Sequence, residues 1–252
     1  MKKVNICLIL VFAISSGIHA QNSDVLALQD SLSNHSQQKW LRAARTPAIL
    51  MSAGLIAFTD NELLGNQEIR EERNEHMPAF RTHVDDYIQY APIVAVYGLN
   101  ALGVKGKNDF VNRSLLLVKS ELIMAALVVP IKSFSHELRP DESNHSSFPS
   151  GHTAQAFVAA TFLHKEYGHI SPWYSIGAYT IASSVGIFRI LNNKHYASDV
   201  LFGAGIGILS TNIAYMTHKY RWGQRPNKPA QLTVMPFYYQ GALGLNLNLA
   251  LK

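Results

Sequence analysis

Two histidines and one aspartate in the second half of the chain have the types and spacing needed for phosphoryl and proton transfer. His195 and Asp199 are four residues apart, so one helical turn would place both on the same side. The carboxylate can then accept a hydrogen bond from one imidazole nitrogen and leave the other free to attack phosphorus. His152 lies on another segment and has the chemistry of a general acid for a departing oxygen. The three residues therefore predict a nucleophile, its orienting carboxylate and a proton donor.

Three permanent cations, Lys132, Arg139 and Arg189, belong to the same part of the chain. Residues 149–152, Pro-Ser-Gly-His, have the composition of a helix start, where free backbone N–H groups favour anions. Singly, each cation has an ordinary interpretation as an interfacial or helix-terminal residue. Together they predict an oxyanion site whose positive charge makes a metal unnecessary. No carboxylates or histidines cluster in the sequence at metal-ligand spacing, so we expect neither a metal nor another cofactor.

The helices that would position these residues are visible as a succession of apolar segments. They cover approximately residues 46–59, 86–104, 114–132, 152–165, 170–188 and 200–217. Three blocks of polar residues lie at the ends of these segments: 132–140 at the end of the third, 148–152 at the start of the fourth, and 188–199 between the fifth and the sixth. In an up-and-down bundle all three blocks meet at one end. The sequence therefore predicts an all-α fold, a six-helix bundle.

Three long uncharged windows favour insertion of this bundle into a bilayer: Tyr87–Val104, Ile170–Phe188 and Val200–Thr217. The segment 46–59 has only 14 uncharged residues and is interpreted as too short to span. If it does not span, Lys105 and the cations near it lie in the cytoplasm, as the positive-inside rule prefers. The three blocks then face the periplasm.

The segments outside the helices complete the predicted domain organisation. Residues 61–85 are charged and are interpreted as a solvated connector with internal ion pairs. Alternating residues on both sides of Gln240-Gly241 predict a short β-hairpin in the tail. The predicted division is a signal peptide at 1–20, an amphipathic lead-in at 21–45, a helical domain at 46–222 and a tail at 223–252.

The N-terminus has the pattern of a secretory signal, with Lys2-Lys3, a short apolar stretch and small residues up to Ala20. Cleavage after Ala20 is predicted, with an uncleaved anchor as the alternative. The only cysteine, Cys7, lies inside this signal, so no disulfide is expected in the mature chain. The net charge of +5 comes without a run of basic residues, so nucleic-acid binding is not expected.

The three blocks resemble the signature motifs of the type 2 phosphatidic acid phosphatase and vanadium haloperoxidase superfamily. That pattern is Lys, six residues, Arg-Pro; then Pro-Ser-Gly-His; then Ser-Arg, five residues, His, three residues, Asp. Here it runs from Lys132 to Arg139-Pro140, from Pro149 to His152, and from Arg189 through His195 to Asp199. The similarity spans about residues 86–217. One position departs from the pattern, because Phe188 stands where the family has a small hydroxyl residue.

The resemblance implies a bundle of the phosphatidic acid phosphatase type and a role for each matched residue. His195 would become a phosphohistidine, Asp199 would orient it, and His152 would be the general acid. The residues that would hold phosphate oxygens are Lys132, Arg139, Ser150, Gly151 and Arg189. The short connection between the first two motifs, 141–148, resembles that of envelope lipid phosphatases, including lipid A phosphatases, and disfavours haloperoxidases.

We therefore expect metal-independent hydrolysis of a phosphate monoester or pyrophosphate on an envelope lipid such as lipid A. The expected location is the bacterial envelope, either in the inner membrane with a periplasmic site or in the periplasm against the membrane. A soluble periplasmic non-specific acid phosphatase is the alternative, and a vanadate-dependent haloperoxidase or an inactive lipid-binding protein is less favoured. The expected partners are a lipid phosphate and the membrane, with no obligate protein partner.

Overall fold

The computed structural model describes residues 37–59 and 65–219, together with the backbone of two strands in the tail. The predicted signal peptide lies outside the described residues. The described part contains eight helices: α1 (Gln37–Phe58), α2 (Asn66–His76), α3 (Val84–Ile88), α4 (Ala91–Ala101), α5 (Phe110–Ser135), α6 (Gly151–Tyr167), α7 (Pro172–Leu191) and α8 (Ala197–Met216). The all-α class of the predicted domain is confirmed, but its six helices become eight.

The tail forms two strands, β1 (Gln231–Tyr239) and β2 (Ala242–Ala250). They pair antiparallel, with Gln231 opposite Ala250 and Tyr239 opposite Ala242.

Two boundaries differ from the sequence-based expectation. Helix α1 begins at Gln37, inside the segment predicted as a lead-in. The predicted helix 86–104 is broken, because α3 ends at Ile88 and α4 begins at Ala91. Pro92 lies in the first turn of α4 and has no N–H to donate to the carbonyl of Ile88, four residues earlier. A proline is tolerated in a first turn but not in a helix interior, so a new helix starts here.

Helix α6 is the centre of the bundle and packs against α4, α5, α7 and α8. Its apolar side chains form the main core with residues of α4 and α7. The buried members of that core are Val96, Ala156, Ala160, Phe162, Leu163, Tyr167, Ala178, Ala182 and Val185. A second cluster joins α5, α6 and α8 through Val128, Phe148, Ala154, Phe202 and Ile206.

The long helices alternate in direction, which gives the bundle two distinct ends. We call the end where α5 and α7 finish and α6 and α8 begin the motif end. Helix α1 runs towards it, because Ala43 O accepts a hydrogen bond of 2.8 Å from Asn212, late in α8. Further along α1, Gly54 approaches Phe202, early in α8. Helix α4 runs away from the motif end, because the chain just after it reaches the end of α6, where the Tyr167 hydroxyl donates to Val104 O at 3.0 Å.

Glycines of α8 allow the backbones of neighbouring helices to come close. A Cβ on Gly203 would lie 2.6 Å from Ser150 O, at the start of α6. A Cβ on Gly205 would lie 2.5 Å from Met51 Cγ in α1. Small residues permit such contacts, which full side chains would prevent. The glycine at 203 therefore sets the spacing between the starts of α6 and α8.

Three described helices are long and apolar enough to cross a membrane: α1, α5 and α8. Only α8 matches a window named from the sequence. Helix α4 has 11 residues, about 17 Å, and α7 is not among these candidates. Helix α5 is not among the windows named from the sequence, because Lys119 and Glu121 interrupt its apolar run. In the structure the Glu121 carboxylate accepts a hydrogen bond of 2.6 Å from Gln155 in α6.

The candidate spans differ in how much the protein itself covers them. About 72% of the apolar window of α8 is buried inside the protein, against 17% for α1 and 22% for α5. Large apolar side chains on α1 and α5 are therefore exposed, including Ile49, Leu55, Val118, Leu122 and Val129. Such faces are stable in lipid and costly in water, so this is a membrane protein.

Candidate active site

His195 and Asp199 form a buried pair at the motif end. His195 lies in the loop between α7 and α8 and is 2% exposed, and its Nδ1 is 3.3 Å from Asp199 Oδ2. Asp199 is fully buried in the first turn of α8 and accepts a hydrogen bond of 2.9 Å from the backbone N–H of Tyr196. Because Nδ1 faces the carboxylate, Nε2 is the imidazole nitrogen that remains for other chemistry.

Polar contacts from two other segments hold Asp199 in place. The hydroxyl of Ser147 donates to Asp199 Oδ2, and the N–H of Ser150 donates to Asp199 O at 3.1 Å. The next residue back, Ser198, exchanges hydrogen bonds with Asn66 at the start of α2. The pair is therefore fixed by the loop before α6 and by α2, as well as by its own helix.

The three predicted cations surround this pair. Burial lowers the pKa of His195 to about 4, the hydrogen bond and charge of Asp199 oppose this shift, and the charges of Arg189 and Lys132 add to it. The pKa of Arg139 is likewise lowered, first by burial and then by Arg189. Like charges shift each other in this way only when they are close. The structure therefore brings together Lys132, Arg139 and Arg189, which are far apart in sequence.

Two of these cations carry buried donors without partners in the described part of the chain. They are Nε of Arg139 and Nε of Arg189. An unsatisfied buried donor costs about 1–3 kcal/mol, and more when it is charged. An anion with several acceptor oxygens would satisfy both groups with charge-assisted hydrogen bonds. Lys132 already donates to Ser146 O at 2.6 Å, which ties it to the loop before α6.

The start of α6 completes the site. Ser150 is the N-cap and its fully buried hydroxyl accepts from Thr153 N at 3.4 Å, so this oxygen serves the helix. Gly151 follows, and a Cβ placed on it would meet no atom within 4 Å. The backbone at this helix start is thus open to an approaching anion.

Two carboxylates at this site, Asp85 and Asp86, were not predicted from the sequence. Asp85 is fully buried, and its Oδ2 accepts a hydrogen bond of 2.7 Å from Arg189 Nη1. Asp86 Oδ1 lies 3.0 Å from His152 Nε2 and 3.6 Å from Arg189 Nη1. The interpretation of 61–85 as a solvated connector is therefore wrong at its end, because Asp85 neutralises a buried arginine.

The pKa of His152 reflects its position between these opposite charges. Burial and then the charge of Arg189 lower it from its usual value, whereas Asp86 and Asp85 act to raise it. The pKa of Asp86 is lowered despite burial, by a hydrogen bond with His83 and by the charges of His152 and Arg189. Helix α3 thus supplies the negative groups that favour a protonated His152.

Helix α2 supports the same site through a buried arginine. Arg73 is 7% exposed and donates through Nη2 to Leu191 O at 2.7 Å and to Phe80 O at 3.2 Å. It therefore stabilises the end of α7, which carries Arg189. No periodic pattern marks Arg73 within its charged stretch, so sequence alone does not distinguish it from solvated neighbours.

The residue that departs from the family pattern has a packing role. Phe188 is half-buried, and its ring stacks on Phe80 with centroids 6.4 Å apart. The aromatic pair joins α7 to the chain segment before α3. Phe188 thus contributes apolar contact in place of a hydroxyl.

These contacts define an antiparallel helical protein with an anion site of histidines, carboxylates and cations at one end. Residues 114–223 match the family model described as the PAP2 superfamily, which confirms the resemblance inferred from the three motifs.

Comparison with known proteins gives a curated relative, the lipid A 1-phosphatase of Porphyromonas gingivalis, which is 41% identical over 169 residues. The alignment covers 66% of this chain and 36% of that protein, so the chain spans about a third of the relative's length. Aquifex aeolicus LpxE is a similar solved structure, with 24% identity and a TM-score of 0.44 over 57% of this chain and 93% of that chain. Another is the first transmembrane PAP2 type phosphatidylglycerolphosphate phosphatase from Bacillus subtilis, with 23% identity and a TM-score of 0.49. That similarity covers 70% of this chain and 99% of the Bacillus subtilis chain.

Proposed function

We propose that this protein hydrolyses a phosphate monoester or pyrophosphate on an envelope lipid, without a metal, through a phosphohistidine. The observation that carries the proposal is the buried His195–Asp199 pair beside two arginines with unsatisfied donors. A nucleophile with an oriented carboxylate and a surrounding field of cations is the arrangement that phosphoryl transfer needs. The relative described as a lipid A 1-phosphatase supports the same reaction class.

In the first step, Nε2 of His195 forms a bond to phosphorus while the bond from phosphorus to the lipid oxygen breaks. Protonated His152 gives its proton to that oxygen, so the leaving group departs as an alcohol. Asp199 holds the Nδ1 proton and stabilises the positive ring that develops. The cations Lys132, Arg139 and Arg189, with the N–H groups at the start of α6, hold the phosphoryl oxygens.

In the second step, water attacks phosphorus and the phosphorus–nitrogen bond breaks, with its electron pair returning to His195. Neutral His152 takes the proton from the attacking water and recovers its starting state. Inorganic phosphate then leaves. Asp85 and Asp86 favour this cycle, because Asp85 holds Arg189 and Asp86 faces His152.

Apolar side chains at the motif end favour a lipid over a small soluble ester. Phe134, near the end of α5 at the motif end, is 84% exposed, and Tyr87, next to Asp86 in α3, is 76% exposed. Phe58, at the end of α1, is also exposed. A rim of this kind contacts acyl chains or the membrane interface, which a soluble acid phosphatase would not require.

A periplasmic site is supported by the charges at the other end of the bundle. Lys105 and Lys107 lie in the connection between α4 and α5, opposite the motif end. The positive-inside rule places these lysines in the cytoplasm and the motif end outside. Helix α1 runs towards the motif end, so a crossing by α1 places Gln37 on the cytoplasmic side and replaces the expectation that 46–59 does not span. This topology is incompatible with export of the chain after a cleaved signal at 1–20, so the proposal keeps the N-terminal segment in the cytoplasm.

Phosphate release by the purified protein tests the proposal. We expect release from lipid A or another envelope lipid phosphate in detergent, and slower release from p-nitrophenyl phosphate. The His195→Ala variant should lose release while remaining folded, as a cooperative thermal unfolding transition would show. Wild-type protein that releases no phosphate from any lipid phosphate would overturn the proposal. Preference for the soluble ester would favour the acid phosphatase alternative, and halide oxidation with vanadate would favour a haloperoxidase.

A further inference from the structure

A large cavity lies between α1 and the face made by α6 and α7, in the half of the bundle away from the candidate active site. Its volume is about 920 Å³, near the top of the range of roughly 300–1,000 Å³ for small-molecule sites. Trp40 of α1, Thr161 of α6 and Tyr179 of α7 are among its lining residues. Nothing in the phosphatase mechanism uses this cavity.

The lining of the cavity is divided between charge and apolar surface. Lys39, Arg42 and Lys165 contribute three cations near the ends of α1 and α6 opposite the motif end. Leu50, Phe157 and Ile208 lie nearer the middle of their helices and supply apolar surface. The lining contains no carboxylate, and none of the three cations has an ion-pair partner among the residues placed in the structure.

We propose that this cavity binds an anionic phospholipid from the leaflet opposite the candidate active site. The phosphate lies against Lys39, Arg42 and Lys165, and an acyl chain follows Leu50, Phe157 and Ile208 towards the middle of the membrane. The order of the lining fits such a lipid, because charge lies at the end of the helices and apolar surface at their middle. Basic pockets between membrane helices bind anionic headgroups in this way.

The loose packing of α1 supports the same occupant. Only 17% of the apolar window of α1 is buried inside the protein, so the helix borders lipid over most of its surface. It contacts α8 through Ala43 and Met51 and leaves the cavity between itself and α6. A lipid can therefore enter sideways from the bilayer, without passing through the core.

Quenching of tryptophan fluorescence provides the test, because Trp40 lines the cavity. The full chain is reconstituted in vesicles with brominated acyl chains on either phosphatidylglycerol or phosphatidylcholine at equal mole fraction. A Trp40→Phe variant gives the contribution of the other tryptophans, and its signal is subtracted. We expect brominated phosphatidylglycerol to quench Trp40 more strongly than brominated phosphatidylcholine.

A matched pair of triple variants separates the cavity from the general surface charge. The variant Lys39→Gln, Arg42→Gln, Lys165→Gln should lose the excess quenching by phosphatidylglycerol. The control Lys105→Gln, Lys119→Gln, Lys219→Gln removes three charges outside the lining and should keep it. Both should retain wild-type phosphate release in detergent, which shows that they fold.

Equal quenching by the two lipids would overturn the proposal, as would loss of the excess in the control alone. Quenching by neither lipid until residues 21–36 are deleted would also overturn it, and would assign the cavity to that segment of the chain.

Discussion

Asp86 Oδ1 lies 3.0 Å from Nε2 of His152, although Asp86 is on α3 and His152 is in the first turn of α6. The contact gives the candidate general acid its own carboxylate, in addition to the one that serves His195. The two histidines therefore have separate partners, Asp86 for His152 and Asp199 for His195. Burial and the charge of Arg189 lower the pKa of both histidines, but the carboxylate that opposes this shift differs between them, so removal of one carboxylate acts mainly on its own histidine.

The Asp86→Asn variant should shift the high-pH limb of the pH–rate profile to lower pH. His152 must be protonated in the first step, and its pKa already lies below the usual value of 6.5. Loss of the Asp86 charge removes an effect that raises this pKa, so activity disappears at a lower pH as pH rises. The profile of kcat/KM against pH measures the shift.

A Glu75→Gln control removes one exposed carboxylate from α2 and should leave this limb unchanged. An unshifted limb in Asp86→Asn, with equal loss of activity at all pH values, would show that Asp86 has only a structural role.

The Asp199→Asn variant should lower kcat by about 10³–10⁴-fold, because the amide cannot hold the same imidazole tautomer. The low-pH limb of the pH–rate profile should also move, to lower pH. Burial lowers the pKa of His195 to about 4, and Asp199 opposes that shift, so its removal lowers the pKa further. His195 is neutral above this pKa, and activity falls as pH drops through it.

Ser210→Ala is a suitable control for Asp199→Asn, since Ser210 is equally buried in α8 and its hydroxyl donates to Ile206 O, within its own helix. It should retain activity. A low-pH limb that moves upward in Asp199→Asn contradicts the assigned contact.

The Asp85→Asn variant should destabilise the fold, because Arg189 would lose its buried counter-charge. Both side chains are at least nine-tenths buried, and breaking such a pair costs about 3–5 kcal/mol. Inorganic phosphate should recover part of the loss by giving Arg189 another anion. Thermal unfolding with and without phosphate measures both effects. A phosphate-dependent rise no greater than that of the wild type would contradict a phosphate contact by Arg189.

The chemistry of the site could be predicted from the sequence because its key residues lie in short motifs at helix ends. His195 and Asp199 are one turn apart, and that local spacing survives in the folded protein. Asp85 and Arg73 could not be assigned, because their partners are more than 100 residues away and their charged surroundings have no period. A charge run indicates polarity but not which of its members is buried.

The membrane spans were harder to predict for a related reason. Two charges, Lys119 and Glu121, interrupt the apolar run of α5, and only the fold shows that Gln155 donates a hydrogen bond to Glu121. The window at 87–104 is uncharged throughout, but α3 ends at Ile88 and a new helix starts at Ala91, with Pro92 in its first turn. A hydropathy window averages over the residues of a segment, so it does not show where one helix ends and the next begins.

The Gly203→Ala variant should destabilise the protein and reduce activity together. Its Cβ would lie 2.6 Å from Ser150 O, so the starts of α6 and α8 would have to separate. Overpacking of this kind costs about 1–3 kcal/mol. Gly177→Ala is the matched control in α7, where a Cβ would meet nothing within 4 Å. That control should be neutral or stabilising by about 0.5–1 kcal/mol, because alanine favours a helix. Equal unfolding midpoints for the two variants would contradict the close approach.

Cysteine labelling in cells should show that the two ends of the bundle lie on opposite sides of the inner membrane. A Cys7→Ser background removes the native thiol, and single cysteines are then placed at Asn144 and at Lys105. Asn144 is exposed in the loop at the motif end, whereas Lys105 lies in the connection at the other end. A membrane-impermeant maleimide, added after the outer membrane is opened, should label Asn144→Cys at once. It should label Lys105→Cys only after the inner membrane is lysed, because the positive-inside rule retains that lysine-rich connection in the cytoplasm. The reverse pattern would place the site in the cytoplasm, where a periplasmic lipid phosphate could not reach it.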